Sequence, residues 1–187
     1  MKFRLIATTA IALALSACGG TAEEETAGTQ EAVTAPESEA TEMTADTSTP
    51  QGFVDAASAS DMFEIESARV AQEKTQDQAV RDYAQMMIDD HTTSTQNLEQ
   101  AAGQAEGGVN VSPRLMPAQE QQLTELRGAT AEEFDALYKQ QQVAAHEQAL
   151  NLMQTYSQSG TAEPLQTHAT QTAPIIERHL GMARDLP

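Results

Sequence analysis

The chain has 187 residues, with 28 acidic and 10 basic side chains, a formal charge of −18 and a single cysteine. That charge excludes nucleic acid and anionic lipid headgroups as surfaces the protein itself would attract, because both repel it. One cysteine excludes an intramolecular disulfide and a multi-thiolate metal site, and the length fits one domain with flanking segments.

Residues 1–18, MKFRLIATTAIALALSAC, read as a bacterial lipoprotein export signal. Lys2 and Arg4 form the positive n-region, and Leu5 to Leu15 an apolar run too short to span a bilayer permanently. Leu15-Ser16-Ala17-Cys18 is a lipobox, which makes Cys18 the expected diacylglycerol acceptor. An ordinary cleaved signal with a chance cysteine is the other reading. Cleavage removes Lys2 and Arg4 and leaves 8 basic against 28 acidic side chains, a charge of −20. The expected membrane partner is therefore reached through the lipid, and a mature lipoprotein carries enough acyl chains to anchor stably. Gly19 stands where an inner-membrane retention signal would place Asp, so the expected location is the outer membrane, facing the periplasm.

Residues 19–50 are rich in Thr, Ala, Glu and Pro, with 8 acidic and no basic side chains. Such a segment cannot bury enough apolar surface to offset its ordering entropy, and it is expected to be a disordered acidic linker. A flexible chain of that length reaches about 30 Å.

Residues 51–187 carry helical signals throughout and no alternating strand pattern. Helix A is expected over Gly52–Lys74. Thr75-Gln76-Asp77-Gln78 reads as a capping box that opens helix B, which runs to Ala102. Gly103, Gly107, Gly108, Pro113 and Pro117 break the chain before a short helix at Ala118–Arg127. A second capping box, Thr130-Ala131-Glu132-Glu133, opens helix C, which runs to Ser157; helix D covers Ala162–Ala183, with Pro174 inside it. The A–B and C–D connections are tight, so each pair is antiparallel. The B–C connection is long enough to travel the length of the bundle. The expected fold is all-α: a ferritin-like four-helix bundle with a long B–C crossover carrying a short extra helix. A simple up-down-up-down bundle is the alternative.

Spacings of three and four define the inward rows. Helix A gives Phe53, Ala57, Ser60, Glu64, Ser67 and Ala71; helix B gives Val80, Ala84, Met87, His91, Ser94, Leu98 and Ala101. Helix C gives Tyr138, Gln142, His146, Ala149, Met153 and Tyr156. Helix D gives Leu165, His168, Thr172, Ile175, His179, Met182 and Leu186. All four histidines fall on these rows, with Glu64 beside them. Charged groups are rarely buried unpaired. One reading is a set of satisfied polar core residues that fix helix register. The other is a transition-metal site in the bundle core built from Glu64, His91, His146 and His179, since imidazole and carboxylate suit iron, zinc, copper or manganese. Di-iron carboxylate proteins supply Glu-x-x-His pairs, whereas here Ile88, Val143, Leu165 and Ile176 stand three residues before the histidines. That argues against a di-iron oxidase. Asp89 and Asp90, neighbours of His91, are expected to be mostly solvated. Pro174 is expected to bend helix D. No phosphate loop, nucleophile elbow or catalytic triad spacing is present.

Residues 53–91 resemble the start of the family catalogued as domain of unknown function 4142, and the resemblance continues through Glu133–Tyr138, Gln142–His146, Ala173-Pro174 and His179-Leu180. It implies a ferritin-like, exported or outer-membrane protein and brings no assigned activity. The polar positions it singles out are Glu64, Asp90, His91, Asp135, Tyr138, His146 and His179; His168 stands where relatives have other residues. The expected function is binding rather than turnover. The alternative is a structural or signalling envelope protein whose acidic domain, with 8 basic against 20 acidic residues over 51–187, meets a protein partner. A third reading is a bundle that responds to acid through its buried imidazoles.

Overall fold

Short polar residues start the helices where the sequence leaves backbone N–H groups unpaired. The Thr49 hydroxyl accepts from Gly52 N–H (3.1 Å), with Pro50 in the first turn, where its missing donor costs nothing. In the computed structural model, which describes residues 46–187, that cap opens α1 (Pro50–Lys74). Then follow α2 (Gln78–Gln104), α3 (Pro117–Gly128), α4 (Ala131–Ser159) and α5 (Glu163–Asp185), with no strand among the described residues. The export signal, the lipobox with Cys18, and residues 19–45 of the expected linker lie outside the described residues. No helix among the described residues is long and apolar enough to cross a membrane.

The helix bounds match the sequence expectation within two residues or so. One cap differs. Asp77, not Thr75, opens α2: its carboxylate accepts from the N–H groups of Ala79 (2.7 Å) and Val80 (3.3 Å). Thr75 instead closes α1, its N–H bonded to Ala71 O and its hydroxyl accepting from Asp77 N–H (3.1 Å). A carboxylate at the helix N-terminus is a stronger cap than a hydroxyl, and Asp77 meets the free N–H groups of the first turn directly. At α4, Glu133 reaches back to the N–H and hydroxyl of Thr130, as expected. Those bonds hold the Glu133 carboxyl below its usual range.

Two hairpins, α1–α2 and α4–α5, pack side by side, with α1 against α4 and α2 against α5. The connection between them runs the length of the molecule. α2 ends in an apolar cluster that holds Phe53, Leu98, Ala101, Met153, Tyr156 and Leu165. α4 begins in a second cluster, with Phe63, Val80, Met87, Leu126, Phe134 and Tyr138. Gly107 and Gly108, both at positive φ (96° and 72°), turn the chain out of α2, a conformation costly for other residues. Gln51 then clamps the backbone of Asn110 through both its amide groups (2.8 and 3.0 Å). At the far end Lys74 Nζ donates to the carbonyls of Arg127 (2.6 Å) and Ala129 (2.7 Å). α3 covers α1 and α4 on the way.

The inward rows of α2 and α4 are observed, with Ser94 only half-buried. The α5 row slips. Ile175 and Met182 are each 40% exposed, and Ile176 and Ala183 are buried in their place. Spacings of three and four only approximate 3.6 residues per turn, and between His168 and Leu186, both buried on the expected row, the face turned inward includes the neighbouring positions. In α1 the buried face is wider than the single row: Val54, Ser58, Asp61 and Ala68 are buried beside it, while Ser60 is half-buried. α5 continues as one helix through Pro174.

Candidate metal centre

Between the two apolar clusters lies a buried polar layer, to which α1 contributes Asp61, Glu64 and Ser67, α2 His91, α4 Gln142 and His146, and α5 His179. The three histidines come from three different helices and form a near-equilateral triangle. Their ring centroids are 5.7 Å (His91–His146), 5.7 Å (His91–His179) and 5.6 Å (His146–His179) apart. One ring nitrogen from each lies within 4.8 Å of the other two.

Each ring is held by a protein acceptor at one nitrogen only. His91 Nδ1 bonds Asp61 Oδ1 (2.8 Å), His146 Nδ1 bonds the Gln142 carbonyl (2.8 Å), and His179 Nε2 bonds Asp90 Oδ2 (2.8 Å). Carboxylate and carbonyl oxygens can only accept, so these nitrogens carry the proton. The opposite nitrogens, His91 Nε2, His146 Nε2 and His179 Nδ1, are buried and have no partner among the described residues. In neutral rings they bear lone pairs. A metal-binding imidazole has this form, with its second nitrogen donating to a carboxylate or carbonyl that fixes the tautomer.

Electrostatics differ around the triangle. Burial drives the His179 pKa down to about 4, helped by the charges of His91 and His146 and opposed by Asp90, so this ring is neutral well below pH 7. Burial also works against a charged His91, but the hydrogen bond and charge of Asp61, with Glu64 and Asp90, outweigh it and hold this pKa above its usual value.

Glu64, expected as a ligand, lies outside the triangle. Its Oε1 is 3.6 Å from His146 Nδ1, the nitrogen already bonded to Gln142, and its Oε2 has no partner among the described residues. Its neighbours are the phenols of Tyr83 and Tyr138, which burial and then the Glu64 charge push well above their usual pKa. Tyr138 sits edge-on to Tyr83 (6.2 Å) and stacks on Phe134 (5.9 Å). Asp90 is not the solvated neighbour its helix position suggested. It bonds His179 and accepts from Arg178 Nη2 (3.3 Å). Asp135 is half-buried and bonds none of the histidines. His168 is buried apart from the triangle, edge-on to Phe53 at 6.4 Å, and burial lowers its pKa.

Sequence reasoning missed Asp61, which holds His91 and accepts from Thr95 Oγ1 (3.2 Å). Its signal was its place three residues before Glu64, a second acid on the same helix face.

A sequence model of the family described as Domain of unknown function (DUF4142) matches residues 33–186. No curated protein and no solved structure matches the chain.

Proposed function

The chain belongs to that family, whose name assigns no chemistry, and from the site we propose that it is an envelope protein that binds one transition-metal ion through His91, His146 and His179. The observation that carries this reading is three buried histidines whose ring nitrogens come within 4.8 Å of one another, each ring with one nitrogen held by the protein and the other unpartnered among the described residues. Three neutral imidazoles and no thiolate suit zinc, copper, iron or nickel. Asp61, Asp90 and the Gln142 carbonyl would orient the ligands and raise their basicity. Glu64 belongs behind His146 rather than on the metal.

The neighbour order, in which α1 meets α4 and α2 meets α5 around a long crossover, supports a ferritin-like bundle over an up-down-up-down one. The missing Glu-x-x-His pairs set it apart from di-iron oxidases, and binding rather than turnover is the role we assign. The lipobox at Cys18 supports export and a lipid anchor in the outer membrane, with the domain facing the periplasm.

The test is metal content by mass spectrometry on the full chain, extracted from membranes and carrying no histidine tag. One ion per chain, absent from His91→Ala and His146→Ala variants that remain helical, is the expected result. A wild-type chain that neither retains nor takes up stoichiometric metal refutes the reading. It would favour the second one, a polar-cored scaffold in which the Asp61–His91 and Asp90–His179 pairs only fix helix register.

A further inference from the structure

The histidine triangle has two unlike faces. Toward the α1 C-terminal end, Met87, Gln142, Glu64 and Ala183 close over it, all buried. Toward the other end lies a cleft of about 140 Å³ lined by all four long helices. Ser60 and Asp61 come from α1, Ser94 and Asn97 from α2, Met153 from α4 and Thr172 from α5. His91 and His179 form part of its wall, and Arg178 stands on it with 58% of its side chain exposed. Apart from Arg178 and Asp90, which immediately precede His179 and His91, the other lining residues of α1 and α5 come before their helix's contribution to the polar layer by up to two turns, and those of α2 and α4 come after theirs. With the helix directions alternating, these residues stack on one side of the triangle.

Three ligands from the protein leave a first-row divalent ion short of a closed shell. Structural sites supply a fourth protein ligand, while sites that handle an exchangeable molecule leave that position open. Among the described residues no fourth ligand joins the group: Asp61 is already committed to His91 and Thr95, and Glu64 lies behind His146. On the reading above, we infer that the bound ion keeps an open position facing this cleft and takes a small exogenous monoanion there. The size of the cleft sets the class, a molecule of a few heavy atoms. The sign follows from the surroundings. A divalent cation attracts an anion to the open position, and the basic side chain at the cleft wall is Arg178, paired with Asp90, while the carboxylates Asp61 and Glu64 lie behind His91 and His146 rather than at the open position. The hydroxyls of Ser60, Ser94 and Thr172 and the Asn97 amide offer hydrogen bonds to the anion's far end.

The probe is azide added to the full chain loaded with copper(II), followed by the azide-to-copper charge-transfer band. A saturable band is expected in the wild type. It should vanish in Ser94→Phe, which fills the cleft, while copper stoichiometry stays the same. Asn97→Leu provides a milder second variant, expected to weaken the band's saturation without moving copper content. Copper bound at one per chain with no azide band in the wild type refutes the open position and leaves the metal reading standing. An azide band undiminished in a folded, copper-loaded Ser94→Phe protein also refutes it, because the anion would then enter elsewhere. Failure to bind copper, or any other divalent ion, sinks the metal reading itself and this inference with it.

Discussion

Replacing Asp61 by Asn separates a structural aspartate from one that tunes a metal ligand. Asp61 is 5% exposed; one oxygen accepts from His91 Nδ1 at 2.8 Å and the other from Thr95 Oγ1 at 3.2 Å. Asparagine keeps the shape and one acceptor oxygen but removes the charge. Losing a charged partner behind a ligating imidazole typically costs 10–100-fold in metal affinity, or about 1.4–2.8 kcal/mol. The size agrees with the net worth of about 1.5–3 kcal/mol for a hydrogen bond to a charged group. The pH profile moves as well. In the wild type Asp61 is the main group raising the His91 pKa against burial. Below that raised value a proton competes with the metal for the ring. In Asp61→Asn burial is less opposed, the pKa falls, and the metal-binding curve extends to lower pH even though its plateau is weaker. The assay is competition against a chromophoric chelator from pH 5 to 8. An unchanged plateau, or a binding curve that shifts to higher pH, would refute the argument.

Three further outcomes follow from the same geometry. In the metal-free protein, His91→Leu leaves Asp61 buried with only Thr95 and should destabilise by about 3 kcal/mol in urea unfolding, while Asp61→Leu/His91→Leu together should recover most of that loss; equal losses in both would mean the pair is not coupled. His168 has a lowered pKa in the folded state, so below its ordinary value of 6.5 the unfolded chain takes the proton first and stability falls as pH drops. His168→Leu should therefore flatten the decline in melting temperature between pH 6.5 and 4.5, and an unaltered slope would count against it. At the start of α2, Asp77→Ala should cost about 1 kcal/mol and Gln78→Ala only a few tenths, measured by thermal melts; the reverse order would restore the Thr75 capping box.

The helices could be read because propensity, turn residues and apolar spacing agree along residues 50–187. Where two signals competed, the reading failed locally. Thr75 and Asp77 both suit a cap, and spacing alone does not rank a hydroxyl against a carboxylate. In α5 a seven-residue rule placed Ile175 and Met182 inward, whereas the straight helix buries Ile176 and Ala183. The site was legible in its residue types but not in its heights. His91, His146 and His179 all sat on inward rows, and so did His168, yet only three share a layer. That depends on where each hairpin turns and how the crossover registers one hairpin against the other, which no single helix pattern contains. Asp61 and Asp90 lie just off the rows drawn for α1 and α2, so spacing alone does not point to the two carboxylates that hold His91 and His179; the family resemblance singles out Asp90 but not Asp61.

The polar layer makes most sense as a place where stability is exchanged for binding. It interrupts the core between Ala57 and Ala68 on α1, Met87 and Leu98 on α2, Tyr138 and Ala149 on α4, and Ile176 and Ala183 on α5. Leucines in those positions would join the two clusters. Instead, three imidazole nitrogens, Glu64 Oε2 and the Tyr83 and Tyr138 hydroxyls are buried with no partner among the described residues. Each such group costs about 1–3 kcal/mol, against a net stability of about 5–15 kcal/mol for a typical domain. A protein that binds an ion in the folded state alone gives the three imidazole nitrogens a partner and offsets part of that cost, since a ligand present at a hundred times its Kd adds about 2.7 kcal/mol. Asp61, Asp90 and the Gln142 carbonyl each fix one ring's tautomer, and the apolar clusters on either side hold the helices in register around them.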